Sequence, residues 1–376
     1  MKKKDLVVPN FKPFIPQASI RNAVKVLRSD WIGGDGPYVK EYEREIAKVI
    51  KNKNVVAVNS GTSALQLALH IIGVQGGEVI TSPMTCIATN MGIASQGARI
   101  VWSDIDPTTG NIDPADIARK ITKKTKAIMV VHWGGAPADL HSIQRIATKH
   151  KIPVIEDAAQ ALGSEYAGKP IGSHSDFVAF STQAIKIINT VEGGILAIKR
   201  STDAKRAKKL RWYGIDRDAR IWDDRFRSWE YPISEIGYKM QLTDLNAAIG
   251  LGQIPYLKKH LKIRRAHAKI YRDALKTSNT LTAQRILPKS IPNYWTFTVI
   301  CKDLAVKMRL AKVLKKIGVQ AEVAHTRNDA YPVFLQYKKE VLPGVALFND
   351  HHLIIPIGQW VTQQKAKQIA HVLASF

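Results

Sequence analysis

Lys186 sits in apolar company, between Ile185 and the pair Ile187-Ile188. Desolvation disfavours the ammonium form, so a lysine in such a setting can become a nucleophilic amine and form a Schiff base with a carbonyl. Upstream, the short run Pro153-Val154-Ile155 stops at two acids, Glu156 and Asp157. Carboxylates at a strand's carboxyl end lie where open α/β sheets present their chemistry. A second apolar run, Phe177-Val178-Ala179-Phe180, delivers Ser181, and a Glu192-Gly193-Gly194 turn follows the lysine. Taken alone, Lys186 reads first as a surface lysine with its stem laid on apolar neighbours, since most lysines are exposed. Taken with the acid and the hydroxyl, it would suit pyridoxal phosphate (PLP). Lys186 would hold the aldehyde, Asp157 would keep the pyridine nitrogen protonated, and Ser181 would meet the phosphate.

Other segments must position these groups. Val55–Val58 reads as a buried strand leading through Asn59-Ser60-Gly61-Thr62-Ser63 into an apolar helix. Small hydroxyl residues and a glycine at a helix start leave N–H groups free at the positive end of the dipole. That is an anion site in waiting, and also a common form of helix cap. Residues 78–83 read as another strand, after which 84–90 open a helix containing Cys86, a small hydrophobe on local evidence. Residues 99–106 and 127–132 read as strands, with a helix over 114–121 between them. The helix Leu140–His150 returns the chain to the strand that ends at Asp157. His132 at a strand end is most simply structural. Strands alternating with helices of this length indicate a mostly parallel sheet covered on both faces.

After a strand at Gly194–Ile198 and a basic helix over 203–212, residues 211–232 are aromatic and charged without a clear period, which marks a functional or mobile loop. From 245 a long helical region, bent at Pro255, leaves the large unit. Residues 280–376 read as a smaller α/β unit with strands at 295–301 and 319–323 and helices at 305–317 and from 362. The expected domains are 1–250 and 251–376. His325-Thr326-Arg327-Asn328-Asp329 reads either as a substrate-facing segment or as a polar connection.

Composition narrows the function classes. Hydrophobic content of 45% and charged content of 23% over 376 residues fit a large soluble core, and no run of about 18 apolar residues could span a bilayer. The start is basic, but Asp5, Pro9, Pro13 and Pro16 interrupt any signal-peptide pattern, so the first residues read as an extended arm on a cytoplasmic protein. Two cysteines, Cys86 and Cys301, are too few for a disulfide framework or a cysteine zinc site, and no metal is expected. The net charge of +25 invites a nucleic-acid reading. The cations, however, are spread over helical faces, as in LKKHLKIRRAHAKIYRDAL, and no zinc-finger, RNA-recognition or basic-zipper pattern accompanies them. A diffuse positive field would serve equally to capture an anionic substrate.

Four stretches, in order along the chain, carry a resemblance: WIGGDGPYVKEYEREIA at 31–47, NSGTSALQLAL at 59–69, EDAAQALGSEYAGKPIGSHSDFVAFST from 156 with Lys186 and Glu192-Gly193-Gly194 beyond it, and GYKMQLTDLNAAIGLGQI at 237–254. Together they resemble the DegT/DnrJ/StrS family of PLP-dependent sugar aminotransferases. The resemblance implies an aspartate-aminotransferase-like (type I PLP) fold, with a large mixed, mostly parallel sheet and a smaller carboxy-terminal α/β domain. It implies amino transfer, from glutamate, to a nucleotide-linked keto-deoxysugar. A free keto sugar acid is the nearest alternative. A sugar dehydratase on the same scaffold carries histidine in place of the lysine, so Lys186 favours transamination. The resemblance further implies that Gly61, Thr62, Ser63 and Ser181 hold the phosphate, that Asp157 meets the ring nitrogen, and that Gln160 bonds the phenolic oxygen. Cys86 takes the place of an aromatic ring that usually lies on the pyridine, and would give a sulfur contact instead. Lys239 replaces an asparagine that reaches the phosphate in the neighbouring subunit, which implies a homodimer with shared active sites.

Overall fold

The computed structural model describes residues 8–337 and 340–376; residues 1–7, the start of the expected arm, lie outside the described residues. Short apolar runs make the central sheet: β1 Val55–Val58, β2 Glu78–Thr81, β3 Arg99–Trp102, β4 Thr125–Val131, β5 Val154–Asp157, β6 Phe177–Ser181 and β7 Gly194–Ile198. Their order is β1-β7-β6-β5-β4-β2-β3. Only β7 runs against its neighbours, while β6, β5, β4, β2 and β3 are mutually parallel. Successive side chains alternate between two cores, as a period of two requires. Val55, Val154 and Val178 face the helices Pro37–Ile50, Leu140–His150 and Asp244–Leu251. Val56, Ile155 and Phe177 face Gly61–Ile72, Ile87–Ser95 and Ser201–Leu210. The result is the mixed, mostly parallel sheet with helices on both faces that the sequence led us to expect.

A second, antiparallel sheet joins β8 Leu281–Ala283, β9 Phe297–Cys301 and β10 His352–Ile355. It packs with Leu304–Lys316 and Gln363–Ala374 around a third core. The helix Leu257–Leu275 serves two cores: Leu257 and Leu261 enter the first, whereas Ala268, Tyr271 and Leu275 enter the third. A division at residue 250 therefore falls just ahead of an element shared by both sheets' packing.

Three local expectations differ from the structure. Residues 99–106 are not one strand. The Asp116 carboxylate accepts from Asp104 N at 2.7 Å and from Ser103 Oγ at 3.1 Å, drawing the chain out of the ladder after Trp102, and Ile105–Asp106 pairs instead with Asn111–Ile112. Residues 319–323 form no ladder, because their bonds go to different sides: Val319 bridges Val8 and Glu322 bridges Ile354. The segment 211–232 contains a hairpin, Ile221–Asp223 against Ser228–Glu230, with Trp222 opposite Trp229; three residues a side are too few to show a period.

The registers set the active edge. Asp157 lies beside Ala179, Ser181 beside Gly194, and Gly194 beside Val58. The ends of β5, β6 and β1 thus share one edge, and Gly194 lets the turn after β1 close on β7. A Cβ there would stand 2.2 Å from the Ser60 carbonyl oxygen and 2.7 Å from Gly61 N. Gly194→Ala should lose about 1–3 kcal/mol of stability, as overpacking does, and bind PLP more weakly. Gly33→Ala, with nothing within 4 Å of the added carbon, should stay within about 0.5 kcal/mol of the parent. Chemical denaturation and cofactor titration check both.

Candidate active site

The loop after β6 holds the lysine by backbone bonds. Lys186 N donates to Gln183 O at 2.9 Å, and Ile185 N donates to Gln183 Oε1 at 3.1 Å. The Trp295 indole donates to Ile185 O at 3.2 Å. The partly buried Lys186 Nζ then lies 4.0 Å above the Trp295 ring. A cation over a tryptophan face gains about 0.5–2 kcal/mol. Burial outweighs this and pushes the amine down from 10.5 to about 8, against the opposing pull of Cys86 and Asp157. The ring is fixed in turn: Phe11 stacks on it at 4.7 Å, Asn293 Oδ1 accepts from Trp295 N, and Arg264 donates to the Trp295 carbonyl.

Asp157 ends β5 as a buried residue. Its Oδ2 accepts from Thr89 Oγ1 at 2.5 Å and its Oδ1 from Ala159 N at 3.1 Å, while the Thr85 and Thr89 hydroxyls bond each other at 2.8 Å. The carboxylate therefore has one orientation. Gln160, also buried, accepts from Gly134 N at 2.7 Å and points its amide nitrogen at His325 Nε2, 3.3 Å away. Gln160, Ser181, Lys186, Asn293 and Trp295 line one small cavity.

The helix Gly61–Ile72 begins beside Ser181: a Cβ on Gly61 would lie 2.9 Å from Ser181 Cβ. Ser60 Oγ caps Ser63 N at 3.0 Å, and Ser63 Oγ donates to Asn59 Oδ1 at 2.6 Å. The Ser63 hydroxyl and amide are therefore engaged inside the cap. The amides of Gly61 and Thr62 have no intrahelical partner, as at any helix start. Two open amides and the Ser181 hydroxyl next to them fit a phosphate at the dipole's positive end. Cys86 caps the helix Ile87–Ser95 and lies within electrostatic reach of Lys186. Lys239 turns its ammonium elsewhere, with Nζ 3.9 Å above the Trp212 ring, while its carbonyl accepts from Asn59 Nδ2 at 3.4 Å. His132 is structural: buried, it accepts from Ala138 N through Nδ1 and bonds Glu156 at 2.8 Å.

Thr89, Trp295 and the specific contact of His325 were not singled out from the sequence. Thr89 follows Cys86 by one turn and could have been found by asking what orients the acid. Trp295 read only as the start of a strand, and nothing local ties it to a lysine so distant in sequence. Asn328, from the polar segment after His325, reaches Thr85 O at 2.9 Å and is met by Asn90 Nδ2 at 2.9 Å.

Borohydride reduction of the PLP-treated protein should label Lys186 and no other lysine stoichiometrically. The labelling rate without preformed adduct should have its midpoint near pH 8. Peptide mapping checks the site, and Lys186→Ala should remove the label. A midpoint near 10 would contradict the dry environment assigned to the amine.

The model of the DegT/DnrJ/EryC1/StrS aminotransferase family matches residues 14–374. The UDP-4-amino-4-deoxy-L-arabinose–oxoglutarate aminotransferase of Shewanella sediminis is 37% identical over 79% of this chain and 76% of its own. The GDP-perosamine synthase of Caulobacter vibrioides is 35% identical over 81% and 84%. Among solved structures, the sugar aminotransferase CalS13 from Micromonospora echinospora superposes with a TM-score of 0.91 at 33% identity, covering 98% of this chain and 99% of that one. The protein Spr1654 from Streptococcus pneumoniae, solved in PLP and PMP forms, superposes at 0.89 with 26% identity over 98% of this chain, and 98% and 97% of those chains respectively. With a match over nearly its whole length and an amine, an acid and an anion cradle on one sheet edge, the chain belongs to the DegT/DnrJ/EryC1/StrS family and is a PLP-dependent sugar aminotransferase.

Proposed function

We propose that the protein moves the amino group of glutamate to the keto carbon of a nucleotide-linked keto-deoxysugar. The observation that carries the reading is the amine of Lys186, lowered to about 8 and held over Trp295 on the same edge as Asp157. Bound there, PLP supplies an electron sink that acidifies the carbon bearing the amino group. Lys186 is the residue whose amine would hold the cofactor covalently. Once free, the same amine would take up the proton lost from the donor's α carbon and, in the second half, supply the proton that the aminated sugar carbon gains. A base whose pKa lies near the working pH performs both transfers. Asp157, locked by Thr89 and Ala159 N, would pair with a protonated ring nitrogen. Gly61 and Thr62 amides and Ser181 hold the phosphate, and Ser63 acts by fixing the cap. Gln160 would donate to the phenolic oxygen, and Cys86 would offer a sulfur contact to the ring.

A nucleotide sugar is favoured by charge and shape. A cleft of about 540 Å³ is lined by Trp212 and by six cations, Lys40, Lys205, Lys208, Lys209, Arg211 and Arg217, which outnumber the acids Asp35, Glu43, Asp216 and Asp218 beside them, on a chain of net charge +25. Two relatives are named for UDP- and GDP-linked sugars. We infer a homodimer in which Lys239, whose ammonium stands over the Trp212 ring, serves the partner's phosphate. No helix among the described residues is long and apolar enough to cross a membrane, and we place the enzyme in the cytoplasm.

Glutamate should bleach the visible band of the PLP-loaded protein, and a nucleotide-linked keto sugar should restore it; restoration by free keto sugar acids alone would overturn the substrate reading. Mixing subunits tests the shared site. Lys186→Ala and Lys239→Ala proteins, each impaired alone, should regain activity after co-refolding, because one of the two sites in the hybrid then carries both native residues. Activity no greater than the sum of the parents would exclude sharing.

A further inference from the structure

Gln160 has two fixed contacts. Its Oε1 accepts from Gly134 N at 2.7 Å, so its nitrogen is the atom that faces His325 Nε2 at 3.3 Å. An amide nitrogen only donates, so His325 Nε2 must accept and the imidazole must be neutral with its proton on Nδ1. The surroundings agree. The ring lies edge-on to Trp133 at 5.8 Å and nearly parallel to Trp295, at 6.4 Å and 14°. The titratable groups that face it, Lys186 and His352, add to burial in pushing it down to about 3. A protonated imidazole would set two donors against each other and turn the amide away. With one N–H facing His325, the amide keeps a second N–H to donate, and Gln160 lines the cavity it shares with Lys186 and Ser181.

We propose that His325 is a positioning residue that, by accepting from Gln160, aims the free N–H of that amide at the phenolic oxygen of the cofactor. His325 touches no reacting atom. It sits on the segment that returns from the small sheet, and Asn328, three residues on, anchors that segment to Thr85 and Asn90. The seat of this segment thereby governs the electronic state of the cofactor ring. The inference rests on the cofactor and on the role given to Gln160, and is independent of which sugar is used.

A donor on the phenolic oxygen spreads its negative charge and weakens its hold on the proton of the nitrogen that joins Lys186 to the cofactor. Losing the donor therefore raises the pH midpoint of the visible absorbance of the PLP-loaded protein. Gln160→Leu and His325→Phe should each raise that midpoint by about one pH unit, the scale of one charge-assisted hydrogen bond. His325→Gln, whose carbonyl has similar reach and accepts, should titrate like the parent. A parental midpoint in His325→Phe, with Gln160→Leu shifted, would overturn the role of His325 while leaving Gln160 in place. A shift in His325→Gln as large as in His325→Phe would overturn it too, since the ring and not the acceptor would then matter. Parental midpoints in both Gln160→Leu and His325→Phe would remove both assignments. Should His325→Phe fail to fold, His325→Leu carries the same comparison.

Discussion

The structure depends on keeping one amine poorly hydrated without losing it to a permanent partner. A carboxylate in salt-bridge contact would raise the pKa of Lys186 and fix its charge. The fold supplies an aromatic face instead. Trp295 receives the ammonium without taking its proton, and Asp157 acts from a distance while its own oxygens are occupied by Thr89 and Ala159 N. The amine is therefore stable in either protonation state, as a group that must alternate between nucleophile, base and acid requires.

Much of the molecule serves to hold that tryptophan and that loop still. Arg264, buried in the helix Leu257–Leu275, spends its guanidinium on the carbonyls of Tyr294 and Trp295. The segment before the first helix contributes Phe11 to the Trp295 stack and the Phe14 carbonyl to Asn189, just beyond the lysine. Elements far apart in sequence converge on a few loop residues. Small displacements of a reacting group are expensive in rate, which gives a physical reason for the convergence.

The positive charge has two faces. Many cations are paired locally: Arg206 with Glu235, Arg211 with Glu43, and Lys209 with Asp216. The Arg206 pair, shared with His70, pulls Glu235 down to about 2. The cleft around Trp212 holds several of these pairs, Lys208 and Arg211 with Glu43, Lys209 with Asp216 and Arg217 with Asp35, and its six cations outnumber its four acids. That placement gives the composition a local meaning, although composition alone could not separate it from charge spread for solubility.

The sequence by itself determined the strands and helices of the large sheet, because buried four-residue runs and 3.6-residue periods are local properties. Local pattern also drew attention to the lysine, the acid, Ser181 and the helix start at Gly61, because hydrophobicity stops there or turn residues follow, whereas Gln160 came from the family resemblance. What it could not determine was contact at a distance. Trp295 under Lys186, Thr89 on Asp157 and His325 on Gln160 join residues from separate elements, and no local period records which side chains a fold will bring together. The same holds for the irregular pieces: residues 319–323 lost their ladder to partners on both sides, and the hairpin at 221–230 pairs three residues a side, with Trp222 opposite Trp229. Which groups could react was decided by residue type and local pattern. How they are aimed, and that the Ser63 hydroxyl is engaged within a cap, was decided only when the edges of β5, β6 and β1 came together.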